Sequence, residues 1–224
     1  MSSIPSAVEP PGNCPLCPRL VAFRELWRDR EPDWHNAPVP TFGAADARLL
    51  IVGLAPGLRG ANRTGRPFTG DYDGELLYAT MLKYGFAVGE YRADPADGLR
   101  LVDAAIANAV RCVPPDNKPT PEEARTCRMF LAGTLDARPG VRTVLALGRI
   151  AHENTVRALG VRLAAFPFAH GAVHETGRLS LYDSYHCSRY NTNTGVLTTA
   201  MFEAVFARIR ADLDALPSGF RAER

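Results

Sequence analysis

The 224-residue sequence predicts an α/β protein in which helices cover both faces of a parallel sheet. Four short apolar segments, ARLLIVGLA, DAAIANAVRC, VRTVLALG and LSLYDSYH, have the continuous hydrophobic character of strands buried on both faces. Helical patterns lie between these segments, and this alternation is typical of a parallel sheet. The hydrophobic content of 46% and charged content of 22% are ordinary for a globular protein, and the length suits one core.

The chain begins with a tail and one helix. Residues 1–13 are rich in proline and serine, which predicts a flexible tail. The segment 18–30 places Leu20, Phe23 and Trp27 at helical intervals and therefore predicts an amphipathic helix. Prolines in the following EPDWHNAPVPTFG predict an extended connector to the first strand.

Three further helices are predicted between and after the strands. The first runs through GELLYATMLKYGF. The second, TPEEARTCRMFLAGTLDA, places Thr120 at the N-cap and Glu123 three residues later, which is the spacing of a capping box. The last is TTAMFEAVFARIRADLDAL. We therefore expect a single domain over residues 14–216 and a C-terminal tail over 217–224.

Charge and hydropathy exclude few functional classes. The formal net charge of +2 permits a nucleic-acid partner without requiring one, because binding a polyanion depends on local positive charge. No apolar stretch approaches the roughly 18–20 residues of a membrane span. The N-terminus has neither the basic start nor the apolar core of a secretory signal. We therefore expect an intracellular, reducing location, in which five cysteines serve as thiols or metal ligands rather than disulfides.

Three polar loops leave predicted strand ends, and in a parallel sheet such loops meet at one edge, where ligands bind. The loops are GLAPGLRGANRTGRPFTGD, NAVRCVPPDNKP and SYHCSRYNTNTG. The first contains neither the G-K-[ST] of a Walker loop nor a G-x-G-x-x-G fingerprint. It can be a glycine-rich connector or a binding loop. Its large polar and aromatic side chains favour binding, namely Asn62, Arg63, Arg66, Phe68 and Asp71.

Four cysteines form two pairs whose spacing allows several interpretations. Cys14 and Cys17 form a C-x2-C pair, whereas Cys112 and Cys127 are separated by fourteen residues. Four thiolates suit tetrahedral zinc or a [4Fe–4S] cluster. A zinc ribbon normally has two tight knuckles, and buried cysteines also occur as simple hydrophobic residues. Spacing alone leaves these three possibilities open.

Taken in order, GLAPGLRGANRTGRPFTGD, NAVRCVPPDNKPTPEEARTC, LALGRIA and SYHCSRYNTNTG resemble the motifs of the uracil-DNA glycosylase superfamily. The greatest similarity is to its iron–sulfur branch and, within it, to the family 5 (type b) enzymes. The resemblance implies a three-layer α/β/α sandwich with a four-stranded parallel sheet. It also implies a [4Fe–4S] cluster on Cys14, Cys17, Cys112 and Cys127. Leu54, where other families carry an acidic residue or Asn, agrees with family 5.

The resemblance also assigns roles around an extruded base. Phe68 would stack on the pyrimidine, Asn108 would read its Watson–Crick edge, and His186 would stabilise the leaving uracil through O2. Asp71 would orient water or stabilise the cationic sugar, and the nearby Asp73 is an alternative for that role. The segment Gly53, Leu54 and Ala55 would line the base pocket.

DNA contacts are expected on both sides of that pocket. Phosphates would be bound on one side by Asn62, Arg63 and Arg66, and on the other by Ser188 and Asn191. Arg189 or Tyr190 would wedge into the stack that the base has left. The sequence departs from the family at Cys187, where proline is usual. His170 fits the family pattern without an assigned role.

We therefore predict a monofunctional glycosylase that hydrolyses the N-glycosidic bond of uracil, and of other deaminated bases such as hypoxanthine, in DNA. The protein is expected to act as a cytoplasmic, nucleoid-associated monomer without a membrane partner. One alternative is a non-catalytic iron–sulfur protein that binds damaged DNA, which Leu54 and Cys187 suggest. Another is a zinc-stabilised nucleotide-handling protein from a different superfamily.

Overall fold

The computed structural model of the protein describes residues 8–216. Its strands, in chain order, are β1 Phe42–Gly43, β2 Leu49–Gly53, β3 Ala87–Val88, β4 Arg100–Leu101, β5 Ala104–Asn108, β6 Thr143–Leu147, β7 Val173–Glu175 and β8 Ser180–Ser184. Its α-helices are α1 Pro18–Arg30, α2 Ala61–Thr64, α3 Tyr72–Lys83, α4 Pro121–Asp136, α5 Arg149–Ala158, α6 Arg189–Asn193 and α7 Thr199–Ala215. Two short 3-10 helices span Pro115–Asn117 and Leu163–Ala165.

The central sheet confirms the predicted parallel core but has six strands rather than four. Its order is β1-β5-β2-β6-β8-β7, and β5, β2, β6 and β8 are mutually parallel. The edge strands β1 and β7 pair antiparallel with β5 and β8. Both edge strands are only two or three residues long, so they carry too little pattern to be predicted from sequence. A separate hairpin joins β3 and β4.

Two layers of helices enclose this sheet, as the α/β/α prediction requires. Apolar residues of α3 and α7, such as Met81 and Phe206, pack on one face of the sheet with Ile51 and Ile106. Residues of α4 and α5, such as Leu131, pack on the other face with Val52. The alternating side chains of each central strand therefore enter two different cores, which explains why apolar residues occur on both faces of these strands.

Helix boundaries agree with the local sequence signals. The first helix begins and ends where it was predicted, at 18–30. The capping box of α4 is present, because Thr120 Oγ1 accepts from the Glu123 amide (3.2 Å) and Glu123 Oε2 accepts from the Thr120 amide (2.8 Å). Sequence reasoning did not identify the short helices α2 and α6, nor the longer α5, which buries the polar residues His152 and Asn154 as well as apolar ones.

Part of the segment predicted as an N-terminal tail bonds to the domain. Glu9 accepts hydrogen bonds from the Thr41 amide (3.2 Å) and from the Arg111 guanidinium (3.1 Å), and Val8 O accepts from Thr134 (3.2 Å). Residues 1–7 and the predicted C-terminal tail over 217–224 lie outside the described residues. Between residues 8 and 216, no helix has both the length and the hydropathy needed to cross a bilayer.

Candidate active site

A cleft of ≈ 500 Å³ opens at the carboxyl ends of the parallel strands. All three predicted polar loops contribute to it, because parallel strands deliver their following loops to the same edge. The residues lining this cleft, called here the base cleft, are Leu54, Ala55, Pro56, Gly57, Ala61, Phe68, Asp71, Tyr72, Asp73, Asn108, Asn117, His186, Ser188 and Arg189.

The floor of the base cleft is formed where β2 and β5 end side by side. Gly53 pairs in register with Asn108. A Cβ atom on Gly53 would lie 2.5 Å from Asn108 Oδ1 and 2.7 Å from the Phe68 ring, so only glycine leaves these groups in place. Asn108 is almost fully buried, and within the described residues its Oδ1 atom has no hydrogen-bond partner. A buried acceptor of this kind favours a ligand that brings an N–H group.

The Phe68 ring is held at the cleft by a clamped backbone. Phe68 has φ of 55°, a conformation that is uncommon for a large side chain. Tyr91 Oη donates to Phe68 O (3.1 Å), and Tyr78 Oη donates to Pro67 O (2.6 Å). Gly74, in the first turn of α3, lets that helix approach the Phe68 carbonyl without a side chain in between. The Phe68 and His186 ring centroids are 6.0 Å apart.

Two residues predicted to bind phosphate instead hold this loop together, so those two assignments are wrong. Arg66 is buried and forms a bidentate pair with Asp97 (2.8 and 2.7 Å), while its Nε donates to Thr69 (2.7 Å). Asn62 is also buried, and its amide donates to Asn36 Oδ1 (2.8 Å). Neither side chain is exposed to a DNA backbone. Arg63, in contrast, is exposed and remains available.

His186 follows β8 and reaches the opposite wall of the base cleft. About a quarter of its side chain is exposed. Burial lowers the pKa of His186 to about 4, so the imidazole is neutral at physiological pH. Its Nδ1 atom lies 3.6 Å from Asp73 Oδ2, and its backbone carbonyl accepts from the side-chain amide of Asn191 (2.8 Å). The ring is therefore positioned as a neutral hydrogen-bonding group rather than a cation.

Two carboxylates lie at the entrance to α3. Burial, together with repulsion from Asp73, raises the pKa of Asp71 to about 6, although the charge of Arg63 opposes this shift. Burial also raises the pKa of Asp73 to about 6, against the opposing effects of the Arg189 amide and charge. The Asp71 carboxylate lies against Gly57 and Gly60, where any side chain would displace it. Both groups are ionised above pH 6 and face the cleft.

The loop after His186 makes two local contacts, one through Cys187 and one through Ser188. Cys187 is buried, and its thiol donates to the Asp73 carbonyl (3.4 Å). Burial raises the pKa of the Cys187 thiol well above its usual value, so this thiol is not a reactive thiolate. The Ser188 hydroxyl caps α6 by accepting from the backbone N–H of Asn191 (3.4 Å).

The two residues predicted to wedge into DNA lie at the start of α6. The Arg189 guanidinium lies over the Tyr72 ring, 4.9 Å from its centroid, and Arg189 also lines the base cleft. Tyr190 is 74% exposed and does not line the cleft.

A buried hydrogen-bond network supports β8 just before His186. The Asp183 carboxylate accepts from His152 (2.7 Å) and His174 (3.1 Å). Although burial lowers the pKa of His152, the hydrogen bond to Asp183 and its charge raise that pKa overall. His170, which had no predicted role, accepts from the Tyr185 amide (3.1 Å) and stacks on the Tyr185 ring. These bonds fix the backbone from which His186 projects.

Sequence reasoning missed one polar residue that lines the base cleft. Asn117 is exposed in the loop after β5 and has φ of 56°, a left-handed conformation that asparagine tolerates. The sequence does contain a pattern that could have identified Asn117. This residue lies within the polar loop NAVRCVPPDNKP and follows two prolines and an aspartate. Such a sequence is typical of a turn, and turn residues at strand ends often contribute to binding.

The four cysteines of the predicted metal site line one common cavity on the other side of the loop after β5. Cys14 and Cys127 are buried, and the Arg111 amide donates to Cys127 Sγ (3.3 Å). Arg24 lines the same cavity with a buried guanidinium, bonded to the neutral Cys14 carbonyl. A buried cation beside four thiols fits an anionic metal–thiolate group.

The spacing of those sulfur atoms bears on the kind of metal group. Tetrahedral Zn–S bonds of ≈ 2.3 Å place the sulfurs about 3.8 Å apart. Among residues 8–216, the group of three candidate ligands whose atoms all lie within 4.8 Å of one another is His152, His174 and Asp183, not the cysteines. No three of the four cysteine sulfurs therefore lie within 4.8 Å of one another.

Comparison with known proteins agrees with this geometry. The family model described as the uracil DNA glycosylase superfamily matches residues 40–210. The chain is 50% identical to a Type-5 uracil-DNA glycosylase of Thermus thermophilus, over 84% of this chain and 89% of the relative. It is 40% identical to a Type-5 uracil-DNA glycosylase of Pyrobaculum aerophilum, over 91% of both chains.

A more distant relative is also matched. The chain is 32% identical to a Type-4 uracil-DNA glycosylase of Archaeoglobus fulgidus, over 69% of this chain and 72% of the relative. The alternative of a nucleotide-handling protein from another superfamily is therefore wrong. With a family match across most of its length and its three strand-end loops gathered at one cleft, the chain belongs to the uracil DNA glycosylase superfamily.

Proposed function

We propose that this protein hydrolyses the N-glycosidic bond between uracil and deoxyribose in DNA, without a lyase step. The observation that carries the proposal is the base cleft itself, where the Phe68 ring, the Asn108 amide and the His186 imidazole surround one space. The relatives named Type-5 uracil-DNA glycosylase support the same activity.

Base recognition follows from the shape and hydrogen-bonding pattern of the cleft. A base inside a duplex is out of reach, so the nucleotide must be flipped outward. The pyrimidine would then stack on Phe68. Asn108 Oδ1, which is buried without a partner, would accept from uracil N3–H, and Asn108 Nδ2 would donate to uracil O4. Cytosine presents an acceptor at N3 and a donor at its 4-amino group, so it would meet two mismatched contacts.

Cleavage of the bond leaves negative charge on the departing uracil. His186 would donate a hydrogen bond to uracil O2 and stabilise that charge. The low pKa of His186 means that the donor is a neutral imidazole at pH 7, which stabilises the anion without transferring a proton. Positions that serve as oxyanion-type donors usually contribute about 10²–10³ in rate.

Positive charge develops on the sugar at the same time, and water must attack it. Leu54 offers no polar group for that task, whereas Asp71 and Asp73 both face the cleft. We assign the water-orienting and charge-stabilising role to Asp71, because its carboxylate occupies the gap left by Gly57 and Gly60 within the base-binding loop. Asp73 is the alternative for this role, and its carboxylate lies 3.6 Å from His186 Nδ1, too far for a hydrogen bond.

DNA is held around the cleft by exposed polar residues. Arg63, Ser188 and Asn191 would contact phosphates, and Arg189 or Tyr190 would fill the gap in the base stack. The protein would work on nucleoid DNA in the cytoplasm.

The four cysteines, Cys14, Cys17, Cys112 and Cys127, would hold a [4Fe–4S] cluster. Their common cavity and the buried Arg24 support this assignment, and their spacing favours a cluster over a single zinc ion. When bound, the cluster would supply a covalent cross-link rather than chemistry at the base. It would join the N-terminal segment to α4 and to the loop that carries Asn117.

A glycosylase assay tests the proposal. Purified protein with its metal group is incubated with labelled single- and double-stranded oligonucleotides that contain one uracil, and abasic sites are detected as breaks after alkali. We expect release of uracil, and a screen of hypoxanthine and thymine mispairs gives the base range. Binding of uracil-containing DNA without any release would instead support the non-catalytic alternative.

A further inference from the structure

A second cleft, of ≈ 340 Å³, lies between α4 and α5. Three arginines line it, Arg125, Arg128 and Arg157, against a single carboxylate, Glu153. We call it the arginine groove. The predicted site did not include any of these residues.

The arginine groove adjoins the base cleft. Asn117 lines the base cleft and Pro119 lines the groove, so residues whose Cα atoms are at most about 7 Å apart contribute to both spaces. On the other side, α5 begins directly after Gly148, and a Cβ atom on Gly148 would lie 3.5 Å from His186 Cβ. Both helices therefore begin at the edge of the sheet where the base cleft opens.

The Arg128 side chain in the groove is held in place without its positive charge being neutralised. The Asn154 amide is buried, and its Oδ1 accepts from Arg128 Nε (3.2 Å) and Nη2 (3.1 Å). The Asn154 orientation is itself fixed, because its Nδ2 donates to the Ile150 carbonyl (2.9 Å). A neutral amide thus positions the Arg128 guanidinium and leaves its positive charge intact.

The other two arginines add charge that is only weakly compensated. Arg125 lies 3.6 Å from Glu122, and Arg157 lies 3.0 Å from Glu153, each on its own helix. Such solvent-exposed pairs are weak, and an arginine can exchange its carboxylate for a phosphate. Both Arg125 and Arg157 are close enough to Arg128 to repel its charge. The positive ends of the α4 and α5 dipoles point to the same region.

We propose that the arginine groove binds backbone phosphates of the DNA strand next to the nucleotide whose base enters the base cleft. This inference rests on the proposed function. Arg125 and Arg128 are three residues apart on one helix and therefore project from neighbouring positions of one face, from which they can reach successive phosphates of a strand. Because the arginine groove adjoins the base cleft, a DNA strand is favoured as its ligand over a free anion. A strand that leaves the base cleft must cross either the surface that carries the groove or the surface on the other side of the cleft.

The test uses the double variant R125Q/R157Q in the full chain with its metal group. Arg128 is left unchanged because it bonds the buried Asn154. Binding to a duplex with one uncleavable 2′-fluoro-deoxyuridine is followed by fluorescence anisotropy from about 50 to 200 mM salt. We expect the slope of log K against log[salt] to fall by about 2, or about 1 for each arginine. The matched control is R178Q/R208Q, which removes two charges beside Ser180, at the opposite edge of the sheet.

A second measurement locates the phosphates. Each phosphate near the fluorinated nucleotide is replaced in turn by a neutral methylphosphonate. At one or two positions we expect the replacement to weaken binding to the wild-type protein about tenfold and to leave binding to R125Q/R157Q unchanged. Equal losses for both proteins at every position would overturn the proposal.

The remaining outcomes separate the two hypotheses. If the wild-type protein cleaves uracil DNA but R125Q/R157Q keeps the full salt slope, the groove assignment is wrong and the glycosylase proposal stands. If the wild-type protein neither binds nor cleaves such DNA, the proposed function fails. If inorganic phosphate raises the melting temperature of the wild-type protein only, while DNA affinity is equal in both, the groove binds a free anion and the DNA assignment is wrong.

Discussion

Replacing Asp71 by asparagine should make the protein more stable and at the same time nearly inactive. Asp71 is a half-buried carboxylate beside Asp73, and these surroundings raise its pKa from 3.8 to about 6. A carboxylate whose pKa rises on folding destabilises the folded protein wherever it is ionised. Asp71 is the N-cap residue of α3, but its side chain makes no capping hydrogen bond that asparagine would lose.

The expected size of this effect follows from the pKa. A rise of about two pKa units corresponds to about 3 kcal/mol of unfavourable free energy above pH 6. The asparagine amide must still be desolvated, and the carboxylate keeps some contact with solvent. We therefore expect D71N to raise the free energy of unfolding by about 1–2 kcal/mol, which is roughly 3–6 °C in Tm for a chain of this length.

The pH dependence identifies the cause. Below about pH 4 the wild-type Asp71 is protonated both folded and unfolded, so the two proteins should have equal Tm values. Between about pH 4 and 6 the wild-type protein loses stability relative to D71N, and above pH 6 the difference is constant. Calorimetry at about pH 3 and 8 measures both limits. D33N, which removes the same charge from an exposed position, should change the stability by less than about 0.5 kcal/mol at either pH.

Activity provides the second half of this prediction. If Asp71 orients the water, single-turnover release of uracil should fall by about 10²–10⁴ in D71N. A D71N protein that is less stable than wild type at pH 8, or whose Tm advantage is the same at both pH values, would refute the argument from burial and charge. Retention of the wild-type rate would move the catalytic assignment to Asp73.

Three further predictions address the rest of the site. In H186A, single-turnover release of uracil should fall by about 10²–10³ while affinity for the uncleavable duplex changes only a few-fold, and a rate within tenfold of wild type would contradict the role of the imidazole. In G53A, the new Cβ would lie 2.5 Å from Asn108 Oδ1, so base excision should be lost while salt-dependent DNA binding persists, and normal excision would show that the base enters elsewhere. In C112S, iron per chain and the brown absorbance should both drop, with a lower Tm, whereas C187S should keep its iron; equal iron contents would exclude Cys112 as a ligand.

The predictable part of the fold is the part with strong local patterns. Helix 18–30 was predicted because apolar residues recur there at helical spacing, and the four central strands because they are short, continuous apolar segments. The α5 helix was missed because RIAHENTVRA is largely polar. Three of its buried side chains, His152, Asn154 and Thr155, make hydrogen bonds inside the protein, and a hydrophobic pattern cannot reveal a helix that buries polar groups.

The site shows the same limit at the level of single residues. Phe68, Asn108 and His186 were identified through motif resemblance, and the structure brings them to one cleft. Arg66 was misassigned because an arginine in a glycine-rich loop is typical of phosphate binding. Its partner Asp97 lies 31 residues later in a segment without a motif, so nothing local to the loop indicates the pairing.

The clamped backbone around Phe68 has a consequence for which bases are removed. Its carbonyl groups are tied to Tyr78 and Tyr91, and α3 lies directly against it, so this wall has little freedom to close around a guest. A stiff wall gains no additional binding energy by closing around the base. It therefore cannot offset the free-energy cost of flipping out a nucleotide that is firmly paired and stacked. The choice among substrates then depends on the stability of the base pair in the duplex. We expect the turnover rate to follow how readily each lesion unpairs, with wobble mispairs processed faster than Watson–Crick pairs of the same base.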